Sequence, residues 1–332
     1  MTSAEVASSV LTIRQIDGLH LELRGSGRLL PWLGPALRGI VAGRYKGQVC
    51  HHPPLERRRR WKYCDGCQYQ TECGYAICFE PAAPAHGRFS GRRDASRTAV
   101  ISPGFPVPEE ARPGLLIPLR ITTIGERAAS RAEELLEVLR EAGRRCGIGP
   151  DEVRFEVGGR PVDTSSRLDP ATLPAVPDAV PGVVPRLGVG LMAPLFLTRQ
   201  PEPRVEDQEA GRTLKRGTKR AVSIPEFDDL FRAALRAVGT LCASAGQPVD
   251  ADFKALKGAA ALVRRIDHCF EPFRQEKYSS RSGQRFTMRG CYGGGVYADV
   301  PMSLVPWLLW GGRIHTGTHR VAGAGAWRIV ME

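Results

Sequence analysis

Gly311-Gly312-Arg313-Ile314-His315-Thr316-Gly317-Thr318-His319-Arg320-Val321-Ala322-Gly323-Ala324-Gly325 is the stretch from which the fold can be read outward. Five glycines in these fifteen residues leave backbone N–H groups unshielded, and two histidines and two arginines add positive charge and groups that titrate near neutrality. Such a turn suits the phosphates of a polyanion, because glycine permits close backbone approach and φ values that other residues avoid. An ordinary β-turn is the other reading. Residues 302–310, just before it, are apolar and helix-length, and residues 326–330, just after it, read as a short strand. Helix, basic glycine-rich turn and last strand form the closing unit of a domain.

The same unit ends a longer pattern. Residues 186–197 read as a strand, and Ser223 with Glu226 as a capping box for a helix reaching about residue 245. A short helix at 252–259 precedes a strand at 262–270 and another at 284–300, which carries Gly293-Gly294-Gly295 as a bulge or kink. The order is β-α-β-β-α-β. Upstream it recurs: strand character at 10–24, a helix at 31–45, strands at 97–102 and 115–124, an amphipathic helix at 130–145 and a strand at 153–157. Residues 161–185, rich in proline and aspartate and without periodicity, read as a linker. The fold class is therefore α+β, with two tandem ferredoxin-like domains. Their expected bounds are 1–160, holding a cysteine-rich insert at 46–84, and 186–332, holding the glycine-rich loop at 311–325.

At 332 residues the chain has room for two domains, and 42% hydrophobic with 25% charged residues is a globular composition. A net charge of +12 points to nucleic acid or another polyanion as partner. No basic amphipathic helix stands out for an anionic membrane, and no run approaches the roughly twenty apolar residues of a span. Residues 1–9 lack a basic segment ahead of an apolar core, so no signal peptide is read and the cytoplasm is the expected compartment. The nine cysteines are then thiols or metal ligands rather than disulfides.

Cys64-Asp65-Gly66-Cys67 is a C-x-x-C knuckle, with Cys50 thirteen residues before it and Cys73 five residues after it. Four thiolates in an irregular loop poor in aliphatic residues suit a structural zinc ion, which would supply the folding energy the loop lacks. An iron–sulfur cluster or unligated thiols are the alternatives, and Cys78, His51 or His52 can replace one ligand. Cys146, Cys242, Cys269 and Cys291 read as core residues. Arg57, Arg58, Arg59 and Arg60, followed by Trp61, Lys62 and Tyr63, mix cations with aromatics as single-strand binders do. Arg212, Lys215, Arg216, Lys219 and Arg220 form a second basic cluster.

Taken in order along the chain, several short motifs resemble the CRISPR-associated endoribonucleases of the RAMP superfamily that process precursor CRISPR RNA. These are Leu33-Gly34-Pro35-Ala36-Leu37-Arg38-Gly39, a cysteine cluster ending near Tyr75 and Phe79-Glu80-Pro81, the run from Leu119 to Gly125, and Gly147-Ile148-Gly149. Ala193-Pro194-Leu195, Tyr278-Ser279-Ser280-Arg281, the run from Gly293 to Tyr297, and the closing run from His315 to Gly325 follow. The resemblance implies tandem ferredoxin-like domains with the glycine-rich loop at an RNA cleft. It also implies cleavage without a catalytic metal, by attack of a ribose 2′-hydroxyl on the adjacent phosphate, leaving a 2′,3′-cyclic phosphate and a 5′-hydroxyl. Thr318 stands where that family commonly has lysine, and Arg320 where it commonly has a small or hydroxyl residue.

The family often places its general base after the first helix, where this sequence has Tyr45, Lys46, His51 and His52. Tyrosine, cation and base are the implied roles of Tyr45, Lys46 and His51, against the alternative that His51 and His52 belong to the metal loop. His315 is a rival proton-transfer group, since histidine serves as acid or base near neutral pH. RNA contacts are expected from Arg57–Arg60, Arg281, Arg313, Gly317, His319, Arg320, Gly323 and Gly325. His20, His86 and His268 lack such context. A non-catalytic RNA-binding RAMP subunit of a CRISPR effector complex is the alternative reading, and a zinc-containing DNA-binding protein a third.

Overall fold

The computed structural model of the protein describes residues 10–54, 56, 63–83, 90, 97–199, 219–279 and 283–332. The first sheet is built from β1 (Leu11–Leu23), β2 (Ala99–Pro103), β3 (Leu116–Ile124) and β4 (Phe155–Leu168), antiparallel and in the spatial order β2-β3-β1-β4. Helix α1 (Gly34–Val49) follows β1, a short α2 (Gly74–Phe79) lies in the cysteine-rich region, and α3 (Ala132–Arg145) follows β3. Pro35 opens α1, where its missing N–H costs nothing. Helix α3 has Glu133 and Glu134 in its first turn and Arg144 and Arg145 in its last, matching the helix dipole, and buries Leu135, Leu136, Val138 and Leu139.

The second sheet repeats this plan. It contains β5 (Val183–Leu191), helices α4 (Phe227–Ser244) and α5 (Phe253–Leu262), and β6 (Arg264–His268). A hairpin of β7 (Glu271–Ser279) and β8 (Gln284–Tyr292) is followed by β9 (Gly294–Pro301), α6 (Val305–Ile314) and β10 (Trp327–Met331). The sheet order is β6-β9-β5-β10, again second-third-first-fourth. Two ferredoxin-like domains in tandem are thus the architecture. Among the described residues no helix is long and apolar enough to cross a membrane.

A bulge in β1 couples the domains. Its pairing with β3 shifts register between Ile16 and Leu19, beside Gly18 at φ +71°. The extra residue turns the odd positions over. Leu19, Leu21 and Leu23 pack under α1 and α3, whereas Leu11 and Ile13, with Ile124 and Leu168, join the buried cluster of the second domain. The second face of the first sheet is therefore covered at the end that holds Leu11, Ile13, Ile124 and Leu168.

A smaller cluster closes the seam: Trp32, Phe196, Phe273, Met288, Ala322 and Ala324. At its centre the backbone of Trp32 is clamped by one side chain. The Trp32 N–H donates to Gln275 Oε1 at 3.0 Å, and Gln275 Nε2 donates to the Trp32 carbonyl at 2.9 Å. Trp32 also lies against Phe196, ring centroids 5.3 Å apart.

Several sequence expectations are corrected. Residues 284–300 are two strands broken at Gly293, and the first pairs with β7 in a hairpin that periodicity does not reveal. The cap of α4 is Glu226 with Asp229, three residues beyond Ser223. Residues 161–168 continue β4, so only 169–182 connect the domains. That connection is held by the second domain: Trp307 Nε1 donates to the Pro174 carbonyl at 3.1 Å, and the Asp252 N–H to the Ala175 carbonyl at 2.8 Å. Residues 46–84 are not wholly irregular, since α1 runs to Val49 and α2 follows. Cys242 and Cys291 are buried, but Cys269 is exposed and Cys146 half-buried beside Arg44.

Replacing Gln275 with leucine strands a buried N–H and a buried carbonyl of Trp32. The expected loss is about 2–4 kcal/mol of unfolding free energy, measured by denaturant melts against the wild type.

Candidate nucleic-acid interface

Helix α6 carries the chain through Gly311 and Gly312 to Ile314, so the glycine-rich loop proper begins at His315. A Cβ at Gly311 would lie 2.5 Å from the Cβ of Ala234; this glycine serves helix packing rather than a phosphate. The loop then folds onto itself. Thr316 N–H donates to Gly325 O at 3.1 Å, Thr318 N–H to Phe196 O at 3.0 Å, and Gly325 N–H to Pro194 O at 3.0 Å. Ala322 and Gly323 N–H bond to His319 and Arg320 carbonyls at 2.9 and 2.8 Å. Backbone donors that the sequence offers to phosphate are largely spent inside the protein.

His315 is 1% exposed, with Nδ1 3.1 Å from the Ala324 carbonyl. Burial pushes its imidazole down to about 4, and it stays neutral at pH 7. Buried there, it pins the loop, a different place from the open one that its reading as a proton-transfer group assumed. Arg320 is buried likewise. It is 4% exposed and donates to the carbonyls of Ile314, at 3.2 Å, and of Arg97 in the first domain. Burial pulls it down to about 9, still charged at neutral pH, so a buried cation ties the loop across the seam. Gly323 sits at φ +86°, where a Cβ would lie 2.6 Å from Ser102 Cα on β2, and Gly325 is buried beneath Thr316.

What the loop exposes is narrow. Thr318 is exposed, Gly317 and His319 are half-exposed, and Arg313 is exposed with its guanidinium 5.7 Å from the Trp310 ring centre. His319 meets Phe196 edge-on at 5.2 Å and stacks at 16° on Phe286 at 6.3 Å. Phe286 is 40% exposed, and Lys277 Nζ sits 5.8 Å from its centre. On the opposite face of the same hairpin, Arg274 and Arg289 are cross-strand partners and both exposed. Like charges directly opposite are unfavourable unless an anion joins them. Sequence reading missed Lys277, Phe286 and this arginine pair; the alternating run Arg285-Phe286-Thr287-Met288-Arg289 was the available signal. Arg57, Arg58, Arg59, Arg60 and Arg281 lie outside the described residues, as do Trp61, Lys62, His86, Arg212, Lys215 and Arg216.

In the first domain Tyr45 is buried and its hydroxyl donates to Glu134 Oε2 at 2.6 Å; burial and this bond push the phenol well above its usual range. Burial pushes the Glu134 carboxyl up, but hydrogen bonds from Tyr45 and Arg131 outweigh it and leave it below its ordinary value. Tyr45 thus braces α1 against α3, a buried place that its reading as a catalytic tyrosine did not anticipate. Lys46 stands 4.8 Å over the Tyr75 ring, His51 is exposed with its ring 4.6 Å from Tyr69, and His52 Nε2 is 3.2 Å from Cys67 Sγ. Cys50, Cys64, Cys67 and Cys73 line one cavity with these histidines.

Residues 11–164 match the family model of an N-terminal domain designated AF_1859_N. No curated protein matches. Among solved structures the chain is similar to a Cas6 product complex, with 14% identity over 98% of this chain and 100% of that one, and a TM-score of 0.53. It is also similar to a partial Cas6-RT-Cas1–Cas2 complex, with 9% identity over 97% of this chain and 46% of that one, and a TM-score of 0.50. At these identities the likeness establishes the tandem ferredoxin-like fold.

The His315 proton linkage has a definite sign. The unfolded chain binds a proton near pH 6.5 and the folded chain only near about 4, so stability is full above pH 6.5 and falls as pH drops toward 4. The expected loss is on the order of 2–3 kcal/mol. His315→Asn keeps a donor at the Nδ1 position and should flatten that part of the stability–pH curve measured by urea melts.

Proposed function

We propose that the protein is an endoribonuclease that cleaves precursor CRISPR RNA within its repeats. The observation that carries this is the solvent-facing strip of exposed Phe286 with half-exposed His319 and Lys277 at the seam of two locked ferredoxin-like domains. Aromatic faces beside cations hold unpaired bases and phosphates together. The arginine pair Arg274 and Arg289 adds a phosphate-binding position on the same hairpin. The net charge of +12 and the likeness of the whole chain to a Cas6 product complex support the same reading.

In the reaction the 2′-oxygen forms a bond to phosphorus while the bond from phosphorus to the 5′-oxygen breaks. The 2′-hydroxyl gives its proton to a base, and the departing 5′-oxygen takes one from an acid. The attacking group is already tethered to its target, so these steps need only proton transfer and a cation near the phosphorane. With His315 and Tyr45 buried, His51 is the proton-transfer group of this reading and Lys46 the cation beside it. RNA is gripped by His319 and Arg313, with Arg57–Arg60 and Arg281 as further phosphate contacts.

The alternative is an RNA-binding subunit of a CRISPR effector complex that does not cut. The burial of His315 and Tyr45, which takes two candidate catalytic groups off the surface, favours it.

Incubation of the purified protein with a repeat hairpin RNA in EDTA separates the two, with circular dichroism confirming that the fold survives chelation. Cleavage leaving a 2′,3′-cyclic phosphate, abolished by a single 2′-deoxy substitution at the cut, is the expected result. Tight binding of RNA that stays intact contradicts it. His51→Ala should slow cleavage about 10²–10⁴-fold with binding unchanged. His319→Ala should instead weaken binding by about 1–3 kcal/mol.

A further inference from the structure

The cysteine-rich insert offers a second chemistry, independent of whether the protein cuts RNA. Four thiols reach one cavity from three separate pieces of chain. Cys50 is the residue that ends α1, its N–H bonded to the Lys46 carbonyl at 3.2 Å. Cys64 and Cys67 flank a tight turn, closed by the Cys67 N–H on the Cys64 carbonyl at 3.0 Å, with Gly66 at φ +72°. Cys73 precedes α2, and its sulfur approaches the Val49 carbonyl at 3.8 Å. Cys50, Cys64, Cys67 and Cys73 all line a cavity with room for a single water-sized occupant.

The surroundings hold the knuckle in place. Glu80 accepts the Cys64 N–H at 2.9 Å through one carboxylate oxygen and the Tyr75 hydroxyl at 2.9 Å through the other. Gln70 N–H bonds to the Cys67 carbonyl at 3.0 Å. His52 Nε2, 3.2 Å from Cys67 Sγ, is placed as a hydrogen-bond partner of the sulfur. Cys78, which sequence alone leaves as a substitute ligand, is fully buried in the core of the first domain and does not line the cavity.

We infer that Cys50, Cys64, Cys67 and Cys73 bind one tetrahedral zinc ion, which fastens the end of α1 to the knuckle and to α2. Among the described residues no group of three or more His, Cys, Asp or Glu side chains already stands placed to hold a metal ion. Uncharged thiols have no reason to converge; the ion replaces their protons and draws the sulfurs in.

The test uses the full chain purified without added metal. Elemental analysis should find about one zinc per chain. The double variant Cys64→Ser, Cys67→Ser should lose it, while Cys269→Ser, which alters an exposed thiol elsewhere, should keep it. Because the double variant can fail to fold, the wild type is also titrated with an organomercurial. Zinc should be released in step with modification of the cluster thiols, and cobalt exchanged into the site should give the visible ligand-field and sulfur charge-transfer bands of a tetrahedral four-thiolate centre. A folded wild type without stoichiometric zinc, a zinc ion that survives the double substitution, or iron with acid-labile sulfide would overturn the assignment. A cobalt spectrum of three sulfurs and one nitrogen would overturn the four-thiolate set.

Discussion

The structure depends on a single side chain that treats another segment's backbone as a strand would. Gln275, buried on the β7–β8 hairpin, gives and takes a hydrogen bond with the backbone of Trp32, just ahead of α1. Trp32 cannot be rotated or withdrawn without leaving two buried polar groups unpaired, a cost comparable with a good part of a domain's net stability. With Trp32 held, Phe196 packs on its ring and the loop after α6 docks on the first domain through Ala322, Gly323 and Arg320. The hairpin, the first helix and the glycine-rich loop are therefore one mechanical unit, although they come from different domains.

This unit explains why the loop's chemistry is divided. Its inner side is structural: His315 and Arg320 are buried polar residues whose partners are main-chain carbonyls, and its glycines allow contact with Ser102 and Thr316. Its outer side is short, and His319 there borrows Phe196 and Phe286 as neighbours. A loop free to move would have to be ordered by each ligand it met, at a cost in conformational entropy. Here folding has already done that, and the exposed strip is preorganised.

The tandem fold is legible in the sequence because its signals are local. Alternation marks β1 and β3, and the apolar stripe of Leu135, Leu136, Val138 and Leu139 marks α3. Errors arise where tertiary contacts decide. The β7–β8 hairpin is hidden because Gln284 to Val300 reads as one strand until Gly293 is seen to break it. A count of glycines and histidines reads as an open phosphate loop, since nothing in Gly311 to Gly325 announces that its amides will be paired and its histidine covered. The same limit applies to Tyr45, whose hydroxyl finds Glu134 on another helix. The cysteine spacing is different: a C-x-x-C turn with two outlying cysteines is itself a geometric statement, and the shared cavity agrees with it.

Hydrogen–deuterium exchange, with and without a repeat hairpin RNA carrying 2′-deoxyribose at the cut, tests the central claim most directly. If RNA lies along the preorganised seam, added protection will fall on the β7–β8 hairpin and on residues 317–319. The amides of residues 322–325, already buried, will exchange slowly in both states. Protection confined to surfaces away from the seam, or a loop that exchanges freely until RNA binds, would contradict the account.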